Sequence, residues 1–476
     1  MIGRNKETKI IDKVLKKKKA DLMIIMGRRR VGKTYLIREH LKSKLHYSLI
    51  GTQDATVENQ LEKFSLQLDK YSGAVSPSQP PNTWSEAFRM LSSYLESFSG
   101  KKRKVLFFDE FPWLDSHRSS FLSEFSYWWN NWAEHHNILV IICGSSTAWM
   151  IDKVINNKGG LHNRITQKIH LKPFTLAETS AFLKSKKITY SFYQTIQLYL
   201  TLGGIPYYLE AIQRGDSVAQ SIDKLCLDKD GLLHQEFDNL YPALFTRPEN
   251  HVKVIKALSS KWKGHTRTEI SNLSGIKNVG ALSKVLDELE RTDFIMKLKP
   301  YGKKKRESLY QLVDEYSLFY RKFIDGRQIK SWMRYQNKPE YLSWAGYAFE
   351  NLCMKYHRQV MASMQLGGLA ADVHSFYSAG TADEAGAQID LVIERADDSI
   401  NLCEVKFRKT VWNMKASDYN DLENKREIFR LKTKSKKALF NTIITINGLS
   451  ESALTHPSVD VHLTAEEIFG YEITQQ

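Results

Sequence analysis

A chain of 476 residues is too long for one hydrophobic core, and 42% hydrophobic residues exclude a disordered polymer. The 69 Lys+Arg against 53 Asp+Glu give a net charge of +16, which favours a polyanionic partner, nucleic acid first. No apolar run reaches the roughly 18–20 residues of a membrane span, no signal-peptide core opens the chain, and Cys143, Cys226, Cys353 and Cys403 show neither disulfide nor zinc spacing, so a cytoplasmic protein with no membrane partner is expected.

The run Lys16–Lys19 reads as a solvated helix end. Asp21-Leu-Met-Ile-Ile-Met26 then has the length and unbroken apolar character of a buried strand. It feeds Gly27-Arg28-Arg29-Arg30-Val31-Gly32-Lys33-Thr34, which fits the P-loop pattern G-x-x-x-x-G-K-S/T at every fixed position, and Tyr35 to Leu41 reads as the helix that follows. Strand, glycine turn and helix N-terminus make a phosphate cradle, because backbone N–H groups and the helix dipole face the anion. Residues Gly27 to Tyr35 are therefore expected to bind ATP, with Lys33 on the β- and γ-phosphates and Thr34 on Mg²⁺.

Val105-Leu-Phe-Phe108 followed by Asp109 and Glu110 describes a buried parallel strand with two acids at its carboxyl end, where open α/β sheets bind ligands. Asp109 is expected to support Mg²⁺ and Glu110 to polarise the attacking water. Ile138 to Cys143 is a third buried strand, leaving through Gly144, Ser145 and Ser146. Either serine reaches the γ-phosphate or the lytic water, or the segment is a plain turn. Arg164 is a candidate phosphate-sensing arginine, with a surface arginine as the alternative.

Ile2-Gly3-Arg4 with Glu7, the P-loop, Phe108-Asp-Glu-Phe-Pro-Trp113, Cys143-Gly-Ser-Ser146, Leu171-Lys-Pro-Phe174 and Leu202-Gly-Gly-Ile-Pro-Tyr207 occur in that order. This set resembles the archaeal-type ATPase family, a branch of the STAND class of AAA-related P-loop ATPases, over about residues 1–245. The resemblance implies that Ile2, Gly3 and Arg4 lie near the adenine and that a helical lid carries Gly203-Gly204-Ile205-Pro206. It also implies that ATP drives a conformational or assembly switch with slow turnover, a homo-oligomer being one candidate state.

From about residue 250 the pattern changes. Helices are expected at 251–258, 268–274 and 279–289, the last with Leu282, Val285, Leu286 and Leu289 on one face. Strands at 294–299 and 308–313 would flank the basic tip Pro300 to Arg306. Three helices and a hairpin make a winged helix-turn-helix, whose third helix usually enters the major groove while a basic wing (297–306) lies on phosphates. The alternative is a structural module that packs on protein.

Beyond it, Ser343 to Leu352 begins a helix bearing Glu350. Ala387 to Glu394 and Ile400 to Phe407 read as a hairpin that brings Asp390 beside Glu404 and Lys406, since residues two apart share a face. Two carboxylates and a lysine suit Mg²⁺ binding and phosphodiester attack. Helix 417–432 and strand 439–446 complete an order that resembles the PD-(D/E)XK nuclease fold and the domain of unknown function 234, typically fused to archaeal-type ATPases. Glu350 matches the helical glutamate of that fold, and no separate Pro-Asp pair is present. The alternative is a degenerate nuclease fold used for binding.

The expected architecture is a multidomain α/β chain: a P-loop parallel-sheet ATPase core at 1–175, a helical lid at 176–245, a winged helix-turn-helix at 246–315 and a restriction-endonuclease-like α/β domain at 316–476. The expected function is that of an ATPase acting on DNA as a nucleotide-gated, Mg²⁺-dependent nuclease. The rival is an ATP-switched DNA-binding or signalling regulator with a silent last domain.

Overall fold

The computed structural model describes residues 1–99, 102–116, 119–156, 159–161, 163–245, 247–304, 307–380 and 386–470. Lys305 and Arg306 of the expected basic tip lie outside them. The chain divides into two compact units, Met1–Pro173 with Ala243–Phe245, and Phe174–Pro242 with the remainder from Thr246. Of the segment expected as a lid, residues 176–242 group with the carboxyl-terminal unit and Ala243–Phe245 with the first. All four cysteines are free and buried.

The first unit is built on β1 (Asp21–Met26), β2 (Tyr47–Ile50), β3 (Lys104–Asp109), β4 (Ile138–Gly144) and β5 (Ile165–His170), ordered β2-β3-β4-β1-β5. Every pairing is parallel. β4 is buried along its whole length and β1 in all but its last residue, as a sheet covered on both faces requires. The register aligns Met26 with Gly144 and Phe108 with Ile142, so the carboxyl ends of β1, β3 and β4 lie side by side.

In the second unit, Phe192–Leu202 is a helix that ends at Gly203, and Gly204 packs so closely that a Cβ there would sit 1.9 Å from the Phe174 carbonyl oxygen. Helices Pro248–Leu258, Arg267–Ser274 and Val279–Arg291 follow, with a three-stranded antiparallel sheet of β6 (His265–Thr266), β7 (Ile295–Leu298) and β8 (Leu309–Leu312), ordered β6-β8-β7. Thr266 and Glu269 form a capping box on the second helix. The third buries Leu282, Val285, Leu286 and Leu289, the face that the apolar spacing predicts.

The last sheet contains β9 (Ala371–Ser378), β10 (Ala387–Arg395), β11 (Ser399–Lys406), β12 (Ala438–Thr445) and β13 (Val461–Thr464), ordered β13-β12-β11-β10-β9. It is mixed: β9, β10 and β11 are antiparallel, and β11, β12 and β13 are parallel. Helix Ala416–Thr433 makes the crossover that a parallel β11–β12 pair demands. Helix Pro339–Lys355 packs against β10 and β11. β13 has no counterpart in the sequence-based reading.

The hairpin tip between β7 and β8 differs from a free wing. Tyr301 N–H donates to the Ser375 carbonyl at 2.9 Å, and His374 Nδ1 lies 2.9 Å from the Lys299 carbonyl oxygen. The Tyr301 ring packs on Phe429 at 4.9 Å and joins the Phe376–Phe429 apolar cluster. An aromatic side chain in an otherwise basic tip anchors it on β9, because burying the ring outweighs leaving the loop solvated. Lys303 and Lys304 remain exposed, with the Lys303 ammonium 3.7 Å from Glu307.

Candidate functional site

The P-loop forms because β1 runs into Gly27, whose φ of +154° and closeness to the Leu171 carbonyl (2.2 Å for an added Cβ) admit no side chain. The loop then enters helix Lys33–Leu41 through Gly32. Val31 is fully buried and holds the loop on the core. Buried Arg4 braces it from outside, donating to the carbonyls of Val31 and Lys172, each at 2.8 Å. Arg4, expected near adenine, clamps the loop backbone, with exposed Ile2 and half-buried Gly3 just before it.

Lys33 Nζ donates to the carbonyls of Gly27 (2.9 Å) and Arg28 (2.8 Å) and to Ser145 Oγ (3.1 Å). Thr34 Oγ1 donates to Asp109 Oδ2 at 2.7 Å. Glu110 follows β3 in a left-handed conformation, φ 44°. Its Oε1 accepts from Ser145 Oγ at 2.5 Å and its Oε2 from Ser145 N–H at 3.1 Å. Of the two candidate serines, Ser145 therefore joins the phosphate lysine to the acid. Arg28 is buried, whereas Arg29 and Tyr35 are exposed.

These donors fit ATP with Mg²⁺. A threonine hydroxyl beside an aspartate makes a pair of hard oxygen ligands, and the helix N-terminus faces the same turn. Arg164 does not reach this cradle. It precedes β5, whose first residue Ile165 pairs with Leu22, so it stands at the amino end of the sheet and pairs with Glu134. Strand direction, which a local motif does not reveal, decides this.

The second cluster lies in the carboxyl-terminal unit. Leu391 pairs with Cys403, so Asp390 and Glu404 follow in register on adjacent strands. The β9–β10 register shifts between Ile389 and Val392, and such bulges re-aim side chains. Asp390 Oδ2 accepts from Val405 N–H at 3.0 Å. Buried Glu404 is gripped by two ammoniums, Lys406 at 2.5 Å and Lys425 at 2.9 Å. Glu350 enters from helix Pro339–Lys355. With Asp390 and Lys406 it lines a cavity of about 790 Å³.

Burial, then the charges of Asp390 and Glu404, push Glu350 up to about 8. Burial and Glu404 push Asp390 up to about 7. For Lys406, burial works downward but Glu404 outweighs it and the ammonium is held. Lys425, which sequence reasoning missed, completes the balance. Its signal was the i,i+4 pair with Asp421 on an otherwise solvated helix. Among the described residues, no three His, Cys, Asp or Glu side chains are gathered closely enough to hold a metal. The carboxylate oxygens suit a divalent cation in kind, but Glu404 must release an ammonium to join one.

The raised carboxyls give a pH prediction. The folded chain keeps protons on Glu350 and Asp390 that the unfolded chain has released, so their contribution to stability is full below about pH 4 and is lost as pH rises through about 7–8. Glu350→Gln should therefore stabilise the chain at pH 9 relative to pH 4, by at least about 1.4 kcal/mol, the equivalent of one pKa unit. Denaturant melts at the two pH values measure it, and an equal effect at both contradicts it.

This geometry defines a P-loop ATPase within a multidomain α/β chain that carries a separate mixed sheet. Residues 1–212 match the family described as an ATPase domain predominantly from Archaea. Across most of its length the chain is similar to an uncharacterized protein of Methanocaldococcus jannaschii, 25% identical over 447 residues, or 90% of this chain and 92% of that one. Among solved structures, the Walker-type ATPase of Pyrococcus abyssi matches 68% of this chain and 96% of its own, with 18% identity and a TM-score of 0.51, a likeness of fold. The ORC2 protein of Aeropyrum pernix, solved as ADPNP–ADP complexes, matches 68% of this chain and 93% of its own with 14% identity and a TM-score of 0.41. Among the described residues, no helix is long and apolar enough to cross a membrane.

Proposed function

We propose that this chain is a STAND-type ATPase acting on DNA as a nucleotide-gated, magnesium-dependent nuclease. The observation that carries the second activity is that Asp390, Lys406 and Glu350 line one cavity, with Glu404 ion-paired to Lys406 beside it. In the first unit, Lys33 exchanges its carbonyl partners for the β- and γ-phosphates, and Ser145 holds Glu110 where it orients the attacking water. Thr34 and Asp109 would hold Mg²⁺, which when bound neutralises phosphate charge. In the second unit, Asp390 and Glu404 would hold a divalent ion that supplies Lewis acidity toward a phosphodiester. Lys406 steadies the charge developing at phosphorus. Calorimetric titration with Mn²⁺ tests the site: wild type should bind and Asp390→Asn should not. Identical isotherms defeat the assignment.

The second reading, a DNA-binding regulator with a silent last domain, is favoured by one observation: both Glu404 oxygens already have lysine partners. In either reading the three helices and the β7–β8 hairpin serve as a winged helix-turn-helix, with helix Val279–Arg291 offered to duplex DNA. Lys303 and Lys304 are the described cations of its tip. If both contact phosphates, Lys303→Glu with Lys304→Glu should lower the slope of log affinity against log salt by about 2. An unchanged slope in an anisotropy titration assigns the hairpin to anchoring alone.

A further inference from the structure

The cavity over the carboxylate cluster has two kinds of wall. Its floor is Glu350, Asp390 and Lys406. Its sides are aromatic and cationic. Tyr193 and Phe407 face each other with ring centroids 5.4 Å apart. Tyr377, 63% exposed, carries the Lys263 ammonium 4.2 Å above its ring. Exposed Arg408 and Lys409 extend the floor outward, and the Asn447 amide fixes their backbone by donating to both carbonyls, at 3.4 and 2.6 Å. The loop bearing Lys263 is tied down as well, since the Trp262 carbonyl accepts from Gln311 at 3.0 Å and from the Tyr347 hydroxyl.

Size selects among nucleic acids. The cavity is open to solvent on one side, and its volume of about 790 Å³ falls in the roughly 300–1,000 Å³ range of sites that hold one small ligand. One groove of B-DNA alone is about 12 Å wide, and enzymes that reach into enclosed sites take single strands or extruded nucleotides. Aromatic faces interleaved with fixed cations are the surface on which unpaired bases stack and their phosphates rest.

We propose that this cavity binds an unpaired polynucleotide strand and excludes duplex, with bases on Tyr193, Phe407 and Tyr377 and phosphates on Lys263, Arg408 and Lys409. The proposal deepens the nuclease reading and rests on it for the fate of the bound strand. Duplex contacts fall to the winged helix, so the two surfaces divide the labour on one substrate with a duplex part and a frayed or single-stranded part.

The test is fluorescence anisotropy with the full chain in EDTA, where no cleavage occurs. The probes are labelled oligothymidylate and oligouridylate of about a dozen nucleotides, within the span of one such groove, and a duplex of equal length. Tyr377→Ala with Arg408→Ala should weaken single-strand binding at least about tenfold and leave duplex binding unchanged. Arg408→Glu alone, a surface change, should act in the same direction. The oligouridylate arm shows whether the sugar is read. Equal strand affinity in wild type and variants, or an equal loss for duplex, overturns the proposal. Wild type that binds the strand here but never cuts it sinks the nuclease reading and leaves this one standing. Cleavage of duplex that is undiminished in the double variant does the reverse.

Discussion

Glu110→Gln is expected to lower ATP turnover by about 10²–10⁴-fold while nucleotide stays bound. The carboxylate sits at the carboxyl end of β3 in a left-handed turn, with one oxygen held by the Ser145 hydroxyl and the other by the Ser145 N–H. The amide keeps the shape and one acceptor oxygen but loses the charge that polarises water. Lys33→Ala should remove binding as well, because three contacts at 2.8–3.1 Å place that ammonium where the phosphates arrive. Equilibrium binding of a fluorescent ATP analogue and a phosphate-release assay separate the two variants. Turnover in Glu110→Gln equal to wild type would remove Glu110 from the catalytic role.

At the second site, Asp390→Asn and Lys406→Ala should each lower DNA cleavage by about 10²–10³-fold or more, the scale of one lost electrostatic stabiliser. The expected routes differ. Asp390→Asn removes a carboxylate that burial and Glu404 already strain, so divalent binding falls with cleavage. Lys406→Ala frees one oxygen of Glu404, so it should bind the cation at least as well as wild type yet still fail to cut. Weaker cation binding in Lys406→Ala would contradict that assignment of the lysine. ATP turnover should survive both changes, since the P-loop belongs to the other compact unit.

Contiguous features were legible in the sequence. The P-loop, the strand ending in Asp109-Glu110 and the buried face of helix Val279–Arg291 are each written within a dozen or so residues, where local periodicity carries the signal. What joins them was not. Ser145 meets Lys33 and Glu110 because β4 lies between β1 and β3, an adjacency set by tertiary packing. Arg4, read as part of a ligand box, also clamps the Val31 carbonyl, a contact across 27 residues. For Arg164 the sequence left a phosphate-sensing and a surface reading open, because a residue next to a strand looks the same whichever end it occupies; it pairs with Glu134. In the carboxyl-terminal unit the hairpin spacing gave Asp390, Glu404 and Lys406, but Lys425 reaches Glu404 from helix Ala416–Thr433. The tip Pro300 to Arg306 read as a solvated basic wing because composition averages over Tyr301, whose ring and backbone anchor it beside the Lys299–His374 contact.

On the proposed function, ATP bound at the P-loop governs cleavage at the carboxylate cluster. The direct measurement is the initial rate of Mg²⁺-dependent cutting of supercoiled plasmid and of single-stranded DNA by the full chain, with and without ATP, in wild type and Lys33→Ala. ATP is expected to change the rate at least about tenfold in wild type, a coupling of about 1.4 kcal/mol, and to leave it unchanged in Lys33→Ala. No cutting under any condition, or a wild-type rate indifferent to ATP, would contradict it.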